Sequence, residues 1–235
     1  MTDSHQHQNS LQFAALNAPA AAPRIPLLAR VPKRFGSKLL LLVLLAPLLN
    51  LCYFLPQWLP LFRTAHRIPV TPIDRLMPFN PWWVYAYLSM YVMILIPPVL
   101  AVSGDQLRRY AIGMAVMFVA AAVCFFLYPV AYDRPPYPTG AGPLYRLVVR
   151  MDQPINCIPS LHAGMTVYAM LYAARILAAD PPPVRNIMLV LGWIWAALIL
   201  YATLATKQHY FLDLPAGAML AWVSHWVAWR KTVPN

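Results

Sequence analysis

Six apolar runs follow one another along the chain after a polar first stretch. They lie at residues 38–56, 82–102, 109–129, 162–179, 187–205 and 211–229. Each is close to the roughly 20 residues that a membrane-spanning helix needs. The pattern therefore predicts an all-α integral membrane protein, a six-transmembrane-helix bundle over 38–229. It also predicts a disordered cytoplasmic tail at 1–37 and a short cytoplasmic tail at 230–235.

Proline and tryptophan shape the chain around the second run. Several prolines interrupt residues 63–81, and Trp82 and Trp83 follow directly. Because tryptophan favours the headgroup level of a bilayer, this segment is predicted to lie on the membrane surface. Within the second run, Pro97 and Pro98 predict a kink or a break in the helix.

Composition narrows the class of protein. Hydrophobic residues make up 60% of the chain and charged residues 11%, against about 25% charged residues in a soluble domain. The net charge of +11 comes from bases scattered between apolar runs, without the basic stripe typical of nucleic-acid binding. Membrane lipids and phosphate-bearing lipid substrates are therefore the expected partners, and nucleic acid is not.

The distribution of basic residues predicts the orientation. With the N-terminus inside, 11 of the 18 Lys and Arg residues lie on the inner side and 7 on the outer side. The positive-inside rule then places both termini in the cytoplasm of a multi-pass inner or plasma membrane. Six spans place His162, His209 and Arg134 together on the outer face, toward the periplasm or a lumen.

Two histidines, His162 and His209, lie at or just before the beginning of apolar runs. Asp213 follows His209 by four residues, which on one helix face would allow a hydrogen bond between the carboxylate and the imidazole. Such a bond fixes the tautomer and leaves the other ring nitrogen for attack. An Asp at the centre of a spanning helix costs up to about 2.5–3.5 kcal/mol, so a membrane chain that keeps this pair is expected to use it.

Groups that favour phosphate surround these histidines in the predicted layout. Ser160 is a good N-cap for the fourth span, and the free N–H groups of such a helix terminus attract anions. His209 is predicted to open the sixth span in the same way. Arg134, whose guanidinium can bind two phosphate oxygens, lies in the long proline-rich loop 130–161, and Lys207 offers a second cation. Loops of this length are usually functional or disordered.

The chain resembles a known family at these positions. The strings IPSLH at 158–162 and KQHYFLD at 207–213 look like the second and third signatures of the type-2 phosphatidic acid phosphatase superfamily, and RP at 134–135 like the end of its first. The string PFNPWW at 78–83, together with QHY at 208–210, is similar to the branch that contains inositol phosphorylceramide synthase.

The resemblance implies a mechanism, residue by residue. His209 would attack the phosphorus of a lipid phosphate ester and form a phosphohistidine, with Asp213 as its orienting group. His162 would protonate the leaving oxygen and later deprotonate water or an alcohol. Arg134 and Ser160 would stabilise the phosphoryl oxygens, without a metal or another cofactor.

The sequence departs from the family pattern at three positions. Leu127 stands where the first signature has a lysine, and Ala202 and Thr203 stand where the third has a Ser-Arg pair. Two expected cations are therefore missing. Lys207 is a candidate to replace one of them, and Arg146 or Arg150 the other. A phosphodiester donor carries less charge than a monoester, so the loss weakens the case for a phosphomonoesterase more than that for His-His-Asp chemistry.

Other classes of function stay open at this point. The residues leave hydrolysis and headgroup transfer to an alcohol unresolved. His162, His209 and Asp213 could form a two-His, one-carboxylate metal site, although their spacing fits the phosphatase signature better. A multi-span transporter or a non-enzymatic membrane protein is the alternative to an enzyme. A transporter is expected to have broken spans in corresponding positions of two repeated halves. The Pro97-Pro98 break has no counterpart elsewhere in the chain, which favours an enzyme over a transporter.

Overall fold

A computed structural model describes residues 25–59, 65–132, 142–152 and 154–230. Arg134, most of the predicted first tail and nearly all of the last one lie outside these ranges. Across these ranges the protein is mostly helical and has almost no sheet.

Eleven helices and two short strands are present in the described ranges. The helices are α1 (Leu27–Arg30), α2 (Phe35–Trp58), α3 (Pro72–Leu76), α4 (Val84–Leu88), α5 (Met90–Met93), α6 (Ile96–Leu100), α7 (Gly104–Leu127), α8 (Pro143–Met151), α9 (Leu161–Ile176), α10 (Pro182–Ala205) and α11 (Asp213–Trp229). A 3-10 turn, Pro81–Trp83, precedes α4. The strands β1 (His66–Arg67) and β2 (Val130–Ala131) pair in parallel.

The apolar helices indicate a membrane protein. Four helical stretches of the described chain are long and apolar enough to cross a bilayer: Phe35–Trp58, Pro81–Leu100, Gly104–Leu127 and Pro182–Ala205. They correspond to the first, second, third and fifth predicted spans. These four candidate spans support the predicted membrane bundle, and the number of six spans stays a prediction.

The fourth and sixth predicted spans are the shorter helices α9 and α11. With 16 and 17 residues, they extend about 24–26 Å at 1.5 Å per residue, less than the roughly 30 Å hydrocarbon thickness. α9 lies at the centre of the bundle and packs on α7, α10 and α11. Buried residues lie on all its sides, as expected for a helix surrounded by others.

The N-terminal region is more ordered than predicted. α1 lies within the predicted disordered tail, and α2 begins at Phe35 rather than at 38. The buried guanidinium of Arg30 pairs with Asp180 at 2.5 Å. Lys38 Nζ donates to the Arg30 carbonyl at 2.8 Å. These buried polar contacts hold residues 25–37 against the bundle, which hydropathy alone does not reveal.

The second predicted span is a chain of short helices. Pro97 and Pro98 occupy the first turn of α6, where a missing N–H costs little, so the predicted break is confirmed. A further interruption falls at Ser89, whose hydroxyl donates to the Ala86 carbonyl at 2.7 Å. This local bond competes with the helix backbone.

The predicted loop 130–161 contains a helix. α8 begins at Pro143, a favourable first helical residue, and carries one buried face and one exposed face. Tyr145 on the buried face packs against Val84, and Arg146 and Arg150 are exposed. α8 therefore packs on the start of α4, and the Tyr145 phenol donates to the Thr206 carbonyl at 3.2 Å, three residues before His209.

Candidate active site

The end of α10 positions His209. The N–H of Lys207 donates to the Leu204 carbonyl at 3.1 Å, and that of Gln208 to the Thr203 carbonyl at 3.1 Å. These two bonds form a Schellman motif, with Lys207 in the left-handed conformation at φ 53°. The His209 N–H donates to the same Thr203 carbonyl at 3.2 Å. His209 is thus fixed to the helix end by its own backbone.

Asp213 holds the imidazole of His209. Its Oδ2 lies 3.1 Å from His209 Nδ1 and accepts the Tyr210 N–H at 3.0 Å. The predicted hydrogen bond is therefore present, but the two residues do not share a helix face. His209 lies in the turn before α11, and Asp213 is the first residue of that helix. The expectation that His209 opens the helix is wrong, because the Schellman motif turns the chain first.

Tyr132 is a third member of this group that the sequence analysis missed. Its phenol donates to Asp213 Oδ1, and its ring packs on Tyr210 with centroids 4.0 Å apart. Burial and the Asp213 carboxylate together raise the pKa of the Tyr132 phenol, which keeps it protonated as a donor. With His209 and Tyr210, it gives the fully buried carboxylate three donors.

His162 faces this group from α9. Ser160 caps the helix, its hydroxyl accepting the Ala163 N–H at 3.2 Å, so the predicted N-cap is confirmed. The His162 and His209 ring centroids lie 6.0 Å apart. The His162 ring stacks on Tyr87 at 3.9 Å. Its buried Nε2 has no hydrogen-bond partner within the described part of the chain.

A close helix crossing brings the two histidine segments together. A Cβ built on Gly217 of α11 would lie 2.2 Å from the Ser160 carbonyl oxygen, a distance that no side chain tolerates. The Ser160 N–H also donates to the Asp213 carbonyl at 3.3 Å. The start of α9 therefore touches the start of α11, and glycine makes the contact possible.

Lys207 holds the surface segment against the His209 turn. Its Nζ donates to the carbonyls of Asp74 and Met77, each at 2.8 Å. Asp74, buried in α3, in turn accepts the Phe211 N–H at 2.7 Å through Oδ1. Burial lowers the pKa of Lys207, with Asp74 partly opposing that shift. Lys207 thus has a structural role that the sequence did not predict, and its phosphate-binding role stays a prediction.

The structure thus brings together five groups: His162, His209, Asp213, Ser160 and Tyr132. Of the remaining predicted residues, Lys207 lies beside the His209 turn, and Arg134 falls outside the described ranges, two residues after Tyr132. No group of three His, Cys or acidic residues in the described ranges is arranged to hold a metal ion. The site therefore offers a positioned imidazole, a second imidazole across from it, and a helix N-terminus.

Comparison with known families assigns the class of protein. The model of the PAP2 superfamily matches residues 107–235, more than half of the chain and the whole region of the candidate site. The chain belongs to the PAP2 superfamily, the type-2 phosphatidic acid phosphatases, as the two histidine strings indicate. Members are phosphatases or phosphotransferases that act on lipid phosphates. Neither the curated proteins nor the solved structures include a significant match.

Proposed function

We propose that this protein is a six-span membrane enzyme that removes or transfers the phosphoryl or phospho-headgroup unit of a lipid through a phosphohistidine at His209. The observation that carries the proposal is the buried Asp213 carboxylate on His209 Nδ1, with the His162 ring 6.0 Å away. A carboxylate on Nδ1 favours the tautomer with its proton there, so Nε2 carries the lone pair.

In the first step, His209 Nε2 attacks the phosphorus of the lipid ester. The N–P bond forms while the bond between phosphorus and the ester oxygen breaks. His162, in its protonated form, gives its proton to the leaving oxygen, so the lipid departs as a neutral alcohol. Asp213 stabilises the positive charge that develops on the His209 ring.

In the second step, His162 acts in the opposite sense. It takes a proton from water or from an incoming alcohol, whose oxygen attacks the phosphorus as the N–P bond breaks. Water gives phosphate or a phosphorylated headgroup, and an alcohol gives a new phosphate ester. Both outcomes use the same residues, so the nature of the acceptor decides between hydrolysis and transfer.

Charge on the phosphoryl oxygens needs donors that are in place before the reaction. The N-terminus of α9 directs backbone N–H groups and a partial positive charge toward the site. We assign to Arg134 the rest of the positive charge that stabilises the phosphoryl oxygens. Ser160 contributes as the N-cap that fixes the start of α9. Phosphoryl transfer depends mainly on such positioning and electrostatic stabilisation.

The orientation of the site completes the proposal. Both histidine segments lie at the same end of the bundle, because α9 and α11 both begin there. The positive-inside count supports an outward-facing site and cytoplasmic termini. The substrate would then come from the outer leaflet.

Turnover of a labelled lipid tests the proposal. Purified protein is given a labelled lipid monophosphate or phospholipid, with and without alcohol acceptors, and products are separated. Release of free phosphate from the monophosphate identifies a phosphatase, and a new phospholipid identifies a transferase. His209→Ala is expected to abolish turnover, whereas the exposed His66→Ala is expected to retain it. Absence of turnover by the unaltered protein would favour a non-enzymatic membrane protein.

A further inference from the structure

A cavity lies on the α8 side of His162. It has a volume of about 400 Å³, within the 300–1,000 Å³ range typical of ligand sites. Tyr87, which stacks on the His162 ring, lines it together with His162 itself. Leu147 and Met151 of α8 also line it and are 52% and 61% exposed. The cavity therefore connects a proposed catalytic imidazole to the apolar surface beside α8.

The cavity lining includes one carboxylate, that of Asp152. Asp152 follows α8 and accepts hydrogen bonds from the Tyr53 phenol at 2.6 Å and the Gln57 amide at 3.4 Å. Tyr53 and Asp152 both line the cavity. The other lining residues, all within the described ranges, are His162 and apolar, aromatic or amide side chains. A carboxylate disfavours a phosphate there and favours a hydrogen-bond donor.

The apolar walls match an alkyl chain, and the Asp152 carboxylate matches a group with an O–H or N–H. In the proposed mechanism the phosphoryl unit lies between His162 and His209, whose ring centroids are 6.0 Å apart. Because His162 is proposed to protonate the leaving oxygen, the alcohol portion of the substrate has to lie beside that imidazole. The cavity is the space next to His162 that combines these properties.

We propose that this cavity binds the alcohol portion of the lipid substrate, and that Asp152 selects alcohols with a second hydrogen-bond donor close to the reacting oxygen. The inference rests on the proposed function, because it takes His162 as the acid. It adds a substrate class: long-chain phosphate esters whose alcohol carries a neighbouring hydroxyl or N–H. A hydrogen bond to a charged group contributes about 1.5–3 kcal/mol, which corresponds to roughly 10- to 100-fold in kcat/KM.

A pair of matched substrates tests the selection. The two are a long-chain alkyl phosphate and its 2-hydroxy counterpart, presented to the full chain in detergent micelles. The unaltered protein is expected to prefer the 2-hydroxy ester by at least about tenfold in kcat/KM. Asp152→Asn is expected to reduce this preference to about twofold or less, because it removes the charge of the acceptor. Equal preference in the unaltered and variant proteins would overturn the proposal.

A cavity-filling variant tests the location. Val148, half-buried in α8, lines the cavity, so Val148→Trp would occupy it. The variant is expected to lower the ratio of long-chain ester to para-nitrophenyl phosphate turnover by at least about tenfold, since the second substrate has no alkyl chain. The matched control is Ile194→Trp, on the exposed side of α10 and away from the cavity. An equal ratio in the two tryptophan variants would contradict the assignment.

Binding of an unphosphorylated ligand separates the cavity from the chemistry. A fluorescent long-chain 1,2-diol is expected to bind the unaltered protein more tightly than the matching simple alcohol, and Asp152→Asn is expected to remove that difference. If the protein binds the diol selectively but turns over no ester, the proposed function fails and the cavity assignment stands. If esters are turned over without selective diol binding, the cavity assignment fails. Should Val148→Trp not fold, the Asp152→Asn comparisons decide the question.

Discussion

Asp213 is the residue on which the geometry of the site depends. A carboxylate with no exposed surface is stable only with several donors, and three reach it from His209, Tyr210 and Tyr132. The bond from Tyr132 spans 81 positions of sequence. Both carboxylate oxygens are therefore fixed, and the His209 ring is oriented by a group that cannot itself turn.

Tyr132→Phe removes one of these donors and keeps the ring. Because the Asp213 carboxylate then moves more freely, kcat is expected to fall about tenfold, with KM changed less than about threefold. Burial and Asp213 raise the pKa of the Tyr132 phenol, so the phenol stays protonated as the pH rises. The loss in kcat is therefore expected to be the same from about pH 6 to pH 9.

Steady-state kinetics across this pH range make the comparison. Tyr128→Phe is the control, because Tyr128 is 54% exposed and stacks on His66 away from Asp213. A kcat for Tyr132→Phe equal to that of the control would show that the phenol does not orient the site.

Lys207 combines an unfavourable backbone conformation with two favourable side-chain bonds. Lys207→Met removes the bonds to the Asp74 and Met77 carbonyls but keeps the φ of 53°. Lys207→Gly also removes the bonds but suits that φ, so it is expected to be about 0.5–1 kcal/mol more stable than the Met variant. Thermal unfolding in detergent measures the difference.

The same two variants test the predicted phosphate-binding role of Lys207. If its main role is to hold the surface segment, both variants lower kcat and leave KM for substrate nearly unchanged. A rise in KM of tenfold or more in both, without loss of stability, would instead favour direct phosphate binding.

Short-range patterns allowed the central residues to be predicted from the sequence. His209 and Asp213 are four positions apart, and Ser160 and His162 two, so a local string is enough to identify each pair. The geometry of the contact between His209 and Asp213 was less predictable. It depends on a Schellman motif in which Lys207 occupies the position that glycine usually takes, so the sequence gives no signal for the motif. The string YDRP at 132–135 indicates Arg134 as the candidate, whereas the contact with Asp213 is made by Tyr132, two residues earlier.

At the level of elements, the crossing of α9 and α11 sets the distance between the two imidazoles. The short separation depends on Gly217 opposite the Ser160 carbonyl, and Gly164 lies in the same contact, its built Cβ 3.3 Å from the Gly217 carbonyl oxygen. Small residues let helix backbones approach closely inside a membrane. The distance between the two imidazoles is thus a property of helix packing.

Gly217→Ala is expected to push the two helices apart. Its Cβ has no room at 2.2 Å from a backbone oxygen, so the helix starts have to move. A displacement near 1 Å between reacting groups costs about 100-fold in rate. We therefore expect kcat to fall by about that factor, measured with a lipid phosphate substrate.

Gly36→Ala is the matched control, because nothing lies within 4 Å of its built Cβ. It lies in α2, where alanine favours the helix more than glycine does. Activity of Gly217→Ala close to that of Gly36→Ala would show that the crossing tolerates a wider separation.

Hydropathy identified the long helices but not the short ones. The four helical stretches of spanning length match predicted runs because each is apolar along its whole length. The prolines around α8 predict a loop, although Leu144, Leu147, Val148 and Met151 repeat at helical spacing. α1 is held by a buried ion pair between Arg30 and the distant Asp180, and the hydropathy of a local stretch of sequence carries no information about such a contact.

For the whole molecule, the predicted orientation has both helix starts of the site facing outward. Cysteine labelling tests it in a background without the three native cysteines. Leu76→Cys lies at an 83% exposed position of the surface segment and is expected to react with a membrane-impermeant reagent in intact cells. Arg108→Cys, near the start of α7, is expected to react only after the membrane is permeabilised. The reverse pattern would place the site inside.

A trapped phosphoenzyme decides whether His209 is the nucleophile. His162→Gln is expected to slow the second step most, so a substrate with a good leaving group, such as labelled para-nitrophenyl phosphate, should load the enzyme. After a rapid alkaline quench and trypsin digestion, the label is predicted on the peptide 208–230, in an acid-labile, alkali-stable bond to His209. Turnover of the substrate with no label on His209, or with the label on another residue, would contradict the phosphohistidine mechanism.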